Sequence, residues 1–178
     1  MRPRAGLSPR AVLPAALVVL ALLVVLLAVE ALRGGGNEGG AVAGRVAYVI
    51  DGDTVVVQTT GGERAHVRLI GIDTPEISHS GRPSDCFGAR AARLTRRLAL
   101  DREVVLEPGR ERRDRYGRLL AYVQVVGGPD DLEATLLARG AARTLAIAPN
   151  TDRAARYSQL ERAARRAGRG LWGACAAG

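Results

Sequence analysis

Carboxylates and arginines at the ends of apolar runs are the residues of this sequence equipped to do chemistry. Asp51-Gly52-Asp53-Thr54 joins two β-branched runs, and Asp73-Thr74-Pro75-Glu76 closes a third. Arg68 stands inside that third run, beside Val67 and Leu69, and Arg118 opens a later run directly after Asp114-Arg115-Tyr116-Gly117. An arginine embedded in apolar sequence needs an anion or a route to solvent. Oxygen donors without His or Cys suit calcium or magnesium better than a transition metal. A hard cation beside two guanidinium forks is what phosphodiester cleavage requires. Cation and forks neutralise charge on a five-coordinate phosphorus, while another carboxylate orients or deprotonates water. An Asp-Gly pair by itself is an ordinary hairpin turn, so the first motif gains its meaning from the other two.

Short strands must position these residues. Residues 44–50 and 54–59 read as strands joined by the Asp51-Gly52-Asp53 hairpin, and Gly61-Gly62 turns the chain into a strand over 64–72 that Thr74-Pro75 stops. Residues 87–100 have helical spacing, 103–107 form a strand, 108–116 a charged loop and 118–126 a further strand. A short helix over 132–139 ends at Gly140, 141–147 is a short strand, and 151–167 is a long Arg/Ala helix. This order predicts an α+β domain, a five-stranded OB-type barrel with three helices, whose closure removes exposed strand edges. Tyr48, Phe87 and Tyr122 are expected in its core, with Trp172 packing the last helix onto the barrel. Strict alternation would place Arg68 and Asp73 on opposite faces, so a twist or bulge near Gly71 must bring them together.

The 178 residues contain 26 basic side chains, all of them Arg, against 18 acids, a formal charge of +8. Well-distributed Leu, Val, Ile and Ala exclude intrinsic disorder, and collagen, coiled coil and a disulfide-dense mini-protein fail on pattern or on the count of 2 Cys. Two separated His and two separated Cys exclude a structural zinc site. His66 and His79 have no triad to join.

Arg2, Arg4 and Arg10 precede 19 uncharged residues, 11–29, and a Gly-rich stretch follows. That is the pattern of a signal peptide or an uncleaved signal anchor, and it places the rest of the chain outside the cytoplasm, secreted or membrane-anchored. The expected organisation is therefore 1–33 signal or transmembrane anchor helix, 34–43 linker, 44–173 folded domain and 174–178 tail. Without residues 1–33 the chain keeps 22 Arg against 17 acids, so the domain is itself basic and suited to a polyanion. In an oxidising compartment Cys86 and Cys175 would form one disulfide closing a loop of about 90 residues; two free thiols are the alternative.

Taken together, Val49-Ile50-Asp51-Gly52-Asp53-Thr54, Arg68-Leu69-Ile70-Gly71-Ile72-Asp73-Thr74-Pro75-Glu76, Asp114-Arg115-Tyr116-Gly117-Arg118-Leu119-Leu120-Ala121-Tyr122 and the late Gly170-Leu171-Trp172 resemble the thermonuclease (staphylococcal nuclease-like) family. The resemblance runs from about residue 44 to 172. It implies an OB-fold, one Ca²⁺ ion, and hydrolysis of DNA and RNA at the 5′-O–P bond to leave 3′-phosphate ends; the chain is expected to act as a monomer. Carried onto this sequence, Asp53 and Asp73 would supply metal carboxylates and Thr74 a backbone carbonyl. Glu76 would be the general base, Arg68 and Arg118 would stabilise the phosphorane and leaving oxygen, and Tyr116 would lie near the 3′-side phosphate or base. Leu145-Ala146-Ile147-Ala148 departs from the family, whose best-known members place aromatic residues there to flank the nucleotide. The rival reading is a non-catalytic nucleic-acid-binding OB module.

Overall fold

The computed structural model describes residues 40–78 and 83–175. The expected signal or anchor helix (1–33), the linker as far as residue 39, His79 and the last three residues of the tail lie outside them.

Five strands close into a barrel in the order β1 (Val42–Val49), β2 (Thr54–Thr59), β3 (Arg64–Leu69), β6 (Leu119–Val125), β5 (Glu103–Arg113). All neighbouring pairs are antiparallel except β3 with β6, where Val67 faces Leu119 in parallel register. Inward residues such as Val55, Val57, Val67, Leu106 and Val123 are buried and fill the interior, so the β-branched runs form strands because one face of each can be removed from water. This is the expected OB-type closure.

Three expectations need correction. Tyr48 is 59% exposed and not in the core. A bulge between Val46 and Tyr48 inserts one residue into β1, so Val46 and Val49 face inward and Tyr48 turns out. Residues 108–113 belong to β5 and not to a loop, because the β5–β6 ladder resumes at Arg113–Leu119 beyond an irregularity at Pro108, where the missing N–H is tolerated. The expected strand over 64–72 is two strands: the chain breaks after Leu69 and resumes as β4 (Gly71–Asp73), which leaves the barrel to pair with β7 (Arg143–Leu145).

The described residues contain four helices where three were expected: α1 (Gly88–Ala99), α2 (Leu132–Ala138), α3 (Ala154–Arg166) and the single turn α4 (Leu171–Ala174). Ala91, Ala92, Leu94, Thr95 and Ala99 form the buried face of α1. Asp131 caps α2 by accepting the Ala134 N–H at 2.7 Å, and it also accepts the Tyr157 hydroxyl of α3 at 3.0 Å. Buried Tyr157 meets Tyr122 edge-on, with ring centroids 6.3 Å apart. Phe87 is half-buried beside the core. Trp172 lies between the guanidinium groups of Arg143 and Arg165, at 4.9 and 5.3 Å from its ring, and so ties α4 to β7 and α3. Cys86 and Cys175 are bonded, joining the approach to α1 with the end of α4.

Candidate active site

The β1–β2 turn carries Asp51 and Asp53, both buried. Asp51 Oδ1 accepts the Asp53 N–H at 3.0 Å, which closes the turn and aims Asp53 inward. Gly52 is obligatory here, since a Cβ on it would lie 2.6 Å from Thr74 Oγ1. Thr95 of α1 donates to the Gly52 carbonyl at 2.7 Å, so the helix buttresses the turn from behind.

Arg68 organises what faces this turn. Its Nη1 lies 3.2 Å from Asp53 Oδ1 and donates to the carbonyls of Leu69 and Ile72 at 3.0 and 2.8 Å, while Nη2 reaches Asp73 Oδ1 at 3.1 Å. The convergence of Arg68 with Asp73, against strict alternation, comes from Gly71. Its φ of +81° turns the chain between β3 and β4, and a Cβ there would strike the Tyr157 ring at 2.9 Å. Thr74 gives both its N–H and its hydroxyl to Asp53 Oδ2, at 2.6 and 3.1 Å. Its carbonyl accepts no hydrogen bond among the described residues.

Glu76 follows on the outside of the cluster, its backbone paired with Asp85: its N–H donates to Asp85 Oδ2 at 3.1 Å and its carbonyl accepts the Asp85 N–H at 3.0 Å. Partial burial, then the negative charges of Asp51 and Asp73, raise the Glu76 carboxyl above the ordinary glutamate value, with Arg68 acting in the opposite direction. Burial pushes Asp53 up to about 7; Arg68 opposes the shift and Asp51 adds to it. Asp51, Asp53, Asp73 and Glu76 thus crowd four carboxylates around one guanidinium, an excess of negative charge that a cation would relieve. The donors are all hard oxygens, which fits calcium or magnesium. Among the described residues no three acidic, His or Cys side chains form a ready-made ion cage, so two carboxylates would have to be completed by the Thr74 carbonyl and water.

Arg68 also lines a cleft of about 480 Å³ with Arg118, Tyr116, Leu145, Ile147 and Asn150. Arg118 is held by Asp114, which accepts its Nε–H at 2.7 Å through Oδ2 and its backbone N–H at 2.9 Å through Oδ1. These hydrogen bonds keep the Asp114 carboxyl below its ordinary value, against the opposing effect of its burial. Tyr116 is 66% exposed at the cleft, its ring covered by Arg115 and Arg118 at 4.8 and 5.5 Å. Buried Asn150 ties the cleft wall to β5, exchanging hydrogen bonds with the Glu111 backbone at 2.8 and 3.0 Å.

The structure therefore gathers Asp53, Arg68, Asp73 and Thr74 into one network with Glu76 at its edge, and places Arg118 and Tyr116 with Arg68 around the cleft. Sequence reasoning picked out Asp51 but read it as a turn residue without a role in the site, and it gave no role to Asp114, which aims Arg118. Their positions two and four residues before a site residue were the available signal. Nothing in the sequence marked Asn150, because its partner lies 39 residues away.

A closed barrel carrying oxygen donors and two guanidinium groups beside a cleft describes a class of phosphodiester-cleaving protein, and comparison with known proteins identifies which one. The profile described as Staphylococcal nuclease homologue matches residues 66–174. The chain is 34% identical over 128 residues to the thermonuclease of Staphylococcus hyicus, covering 72% of this chain and 74% of that protein. It is 35% identical over 127 residues to the thermonuclease of Staphylococcus intermedius, covering 71% and 74%. The SPbeta prophage-derived endonuclease YokF of Bacillus subtilis is 36% identical over 128 residues, covering 69% of this chain and 41% of that protein. This chain belongs to the staphylococcal nuclease family and is a nuclease by class.

Proposed function

We propose that this chain is an exported or membrane-anchored, Ca²⁺-dependent nuclease, acting as a monomer on DNA and RNA, that breaks the 5′-O–P bond and leaves 3′-phosphate ends. The observation that carries the reading is the double membership of Arg68, bonded to Asp53 and Asp73 on one hand and lining the cleft with Arg118 on the other. A phosphodiester seated at Arg68 is then within reach of both guanidinium groups and adjacent to the carboxylates.

Asp53, Asp73 and the Thr74 carbonyl would hold the ion. When bound, it supplies charge neutralisation at the phosphate and makes nearby water more acidic. Glu76, raised by burial and by neighbouring carboxylates, is placed to take a proton from water as the oxygen adds to phosphorus. The P–O5′ bond breaks and the leaving oxygen takes up a proton. Arg68 and Arg118 donate to oxygens that gain charge on the way, and both are preorganised for it by the carboxylates that hold them. Tyr116 stands at the cleft mouth beside a phosphate or base. Leu145 and Ile147 offer an aliphatic wall, so this side of the cleft holds the base by apolar contact in place of ring stacking, a difference of about 1–3 kcal/mol per base. The export reading is supported by the basic and apolar N-terminal pattern.

The test is cleavage of single-stranded DNA by the purified protein in Ca²⁺ and again in EGTA, with Glu76→Gln alongside. Calcium-dependent cutting that falls by orders of magnitude in the variant is expected. Binding without cutting, indifferent to EGTA, would leave only a nucleic-acid-binding module.

A further inference from the structure

The outer face of α1 carries charge that the fold does not use. Arg90, Arg93 and Arg97 recur at i, i+3 and i+7, on the side away from the buried Ala91, Ala92 and Thr95 and bordering Leu94, and all three are exposed. With Arg139 at the end of α2 they border a groove of about 350 Å³ whose other lining residues are Phe87 and Leu94, with no acid among them. Five arginines of the domain, Arg68, Arg110, Arg118, Arg153 and Arg156, are ion-paired, and others such as Arg45, Arg102 and Arg169 donate to backbone carbonyls. The four around the groove have no carboxylate partner among the described residues. Arg96, on the same helix, instead donates to the Val49 carbonyl at 3.2 Å.

This arrangement works against helix stability. α1 contains no acidic residue, so like charges face one another at i, i+3 and i, i+4 without relief, and Arg90 near the N-terminus opposes the helix dipole. A polyanion lying along the face would reverse both penalties. Arg90 to Arg97 spans about 10 Å at 1.5 Å per residue, enough to follow successive phosphates of one strand. The Phe87 ring, with the Arg90 guanidinium 5.6 Å from its centroid, adds an aromatic surface at the near end.

That near end adjoins the candidate active site. A Cβ on Gly88 would lie 2.3 Å from the Glu76 carbonyl oxygen, and Asp85, three residues before Gly88, holds the Glu76 backbone. We propose that the Arg90–Arg93–Arg97–Arg139 groove is a second anchoring surface for the sugar-phosphate backbone of a single-stranded substrate, engaged only by strands long enough to reach beyond the cleft. The proposal rests on the nuclease reading and names a surface outside the reacting groups.

Kinetics on a 4-nucleotide and a 30-nucleotide single-stranded DNA, across a salt series, test it with the full chain. In Arg90→Gln/Arg93→Gln/Arg97→Gln/Arg139→Gln the KM for the 30-mer should rise about tenfold or more. The slope of log KM against log salt should fall by about 2–3, as expected for losing three or four phosphate contacts on a single strand. The KM for the 4-mer and kcat for both should stay as in wild type, and the four Arg→Lys replacements should restore most of the 30-mer affinity. An unchanged 30-mer KM and slope overturns the proposal. So does an equal loss in Arg162→Gln/Arg166→Gln on α3 and Arg93→Gln/Arg97→Gln on α1, which would reduce the effect to overall charge. Loss of binding to phosphatidylglycerol vesicles with unaltered 30-mer binding would overturn it in favour of a membrane contact. If wild type cleaves neither DNA, the nuclease reading fails by itself, and fluorescence anisotropy of the labelled 30-mer, wild type against the Gln variant, still decides the surface.

Discussion

Arg68 Nη1 lies 3.2 Å from Asp53 Oδ1, and neither side chain has much solvent around it. A pair this enclosed is more costly to break than its own attraction suggests, because removing one partner strands the other charge. Arg68→Gln should destabilise the domain by about 3 kcal/mol, read from urea unfolding at pH 7.5. It should lower kcat by about 10²–10³, as expected for losing a preorganised donor to the developing phosphorane. Arg68→Lys should recover more of the stability than of the activity, since one ammonium cannot serve Asp53, Asp73 and two carbonyls at once. Equal recovery of both would argue that charge alone matters.

The pH profile of cleavage reports on Glu76. As a base it works ionised, and its carboxyl is raised above the ordinary 4.5 by burial and by Asp51 and Asp73. Asp51→Asn, which removes one of the charges that raise it, should therefore move the acid limb of kcat to lower pH. An acid limb unmoved by Asp51→Asn would detach it from Glu76.

Gly71→Ala combines two penalties. A positive φ of 81° is unfavourable for alanine, and the new Cβ would stand 2.9 Å from the Tyr157 ring. The expected loss is about 2–4 kcal/mol in unfolding free energy. Activity should drop as well at temperatures where the variant remains folded, because this residue sets the angle between Arg68 and Asp73.

Glu133 offers a pH effect away from the site. It is fully buried on α2 and accepts the Val123 N–H at 3.1 Å. Burial raises its carboxyl well above the ordinary 4.5, backbone hydrogen bonds opposing the shift. The sign follows: its contribution favours folding below about pH 4.5 and is lost as pH climbs toward the higher folded-state value. Glu133→Gln keeps an acceptor for Val123 without the charge. It should stabilise the protein at pH 7.5 by about 1–3 kcal/mol and flatten the decline in stability that sets in above about pH 4.5 in urea titrations. A variant less stable than wild type at pH 7.5 would show that the ionised form is the better partner.

The Cys86–Cys175 bond closes a separation of 89 residues. Replacing both cysteines by alanine should cost about 4–5 kcal/mol on the loop-entropy account, seen as a lower urea midpoint together with a larger m-value as the unfolded chain expands. A loss below about 1 kcal/mol would mean that the reduced unfolded chain is already compact.

The chemistry-bearing residues were legible because they interrupt apolar runs, where a charge needs a reason. The strand order was legible because period-two patterns and turn signals are local properties of the chain. Helix positions followed from 3.6-residue spacing to within a few residues, except for the single turn of α4. What local pattern cannot show is a departure from its own period. The bulge that turns Tyr48 outward depends on how β1 pairs with β2, and the extension of β5 depends on β6 resuming the ladder past Pro108. The break at Gly71 exists because β4 has a second partner in β7, about 70 residues on, and that break alone lets Arg68 meet Asp73. Asp51 and Asp114 read as turn residues because they are turn residues; only their tertiary neighbours make them part of the site. Local residue patterns were enough to show which groups are present and the barrel that carries them. Their convergence was decided by pairing between distant strands, an energy term that no short window of sequence contains.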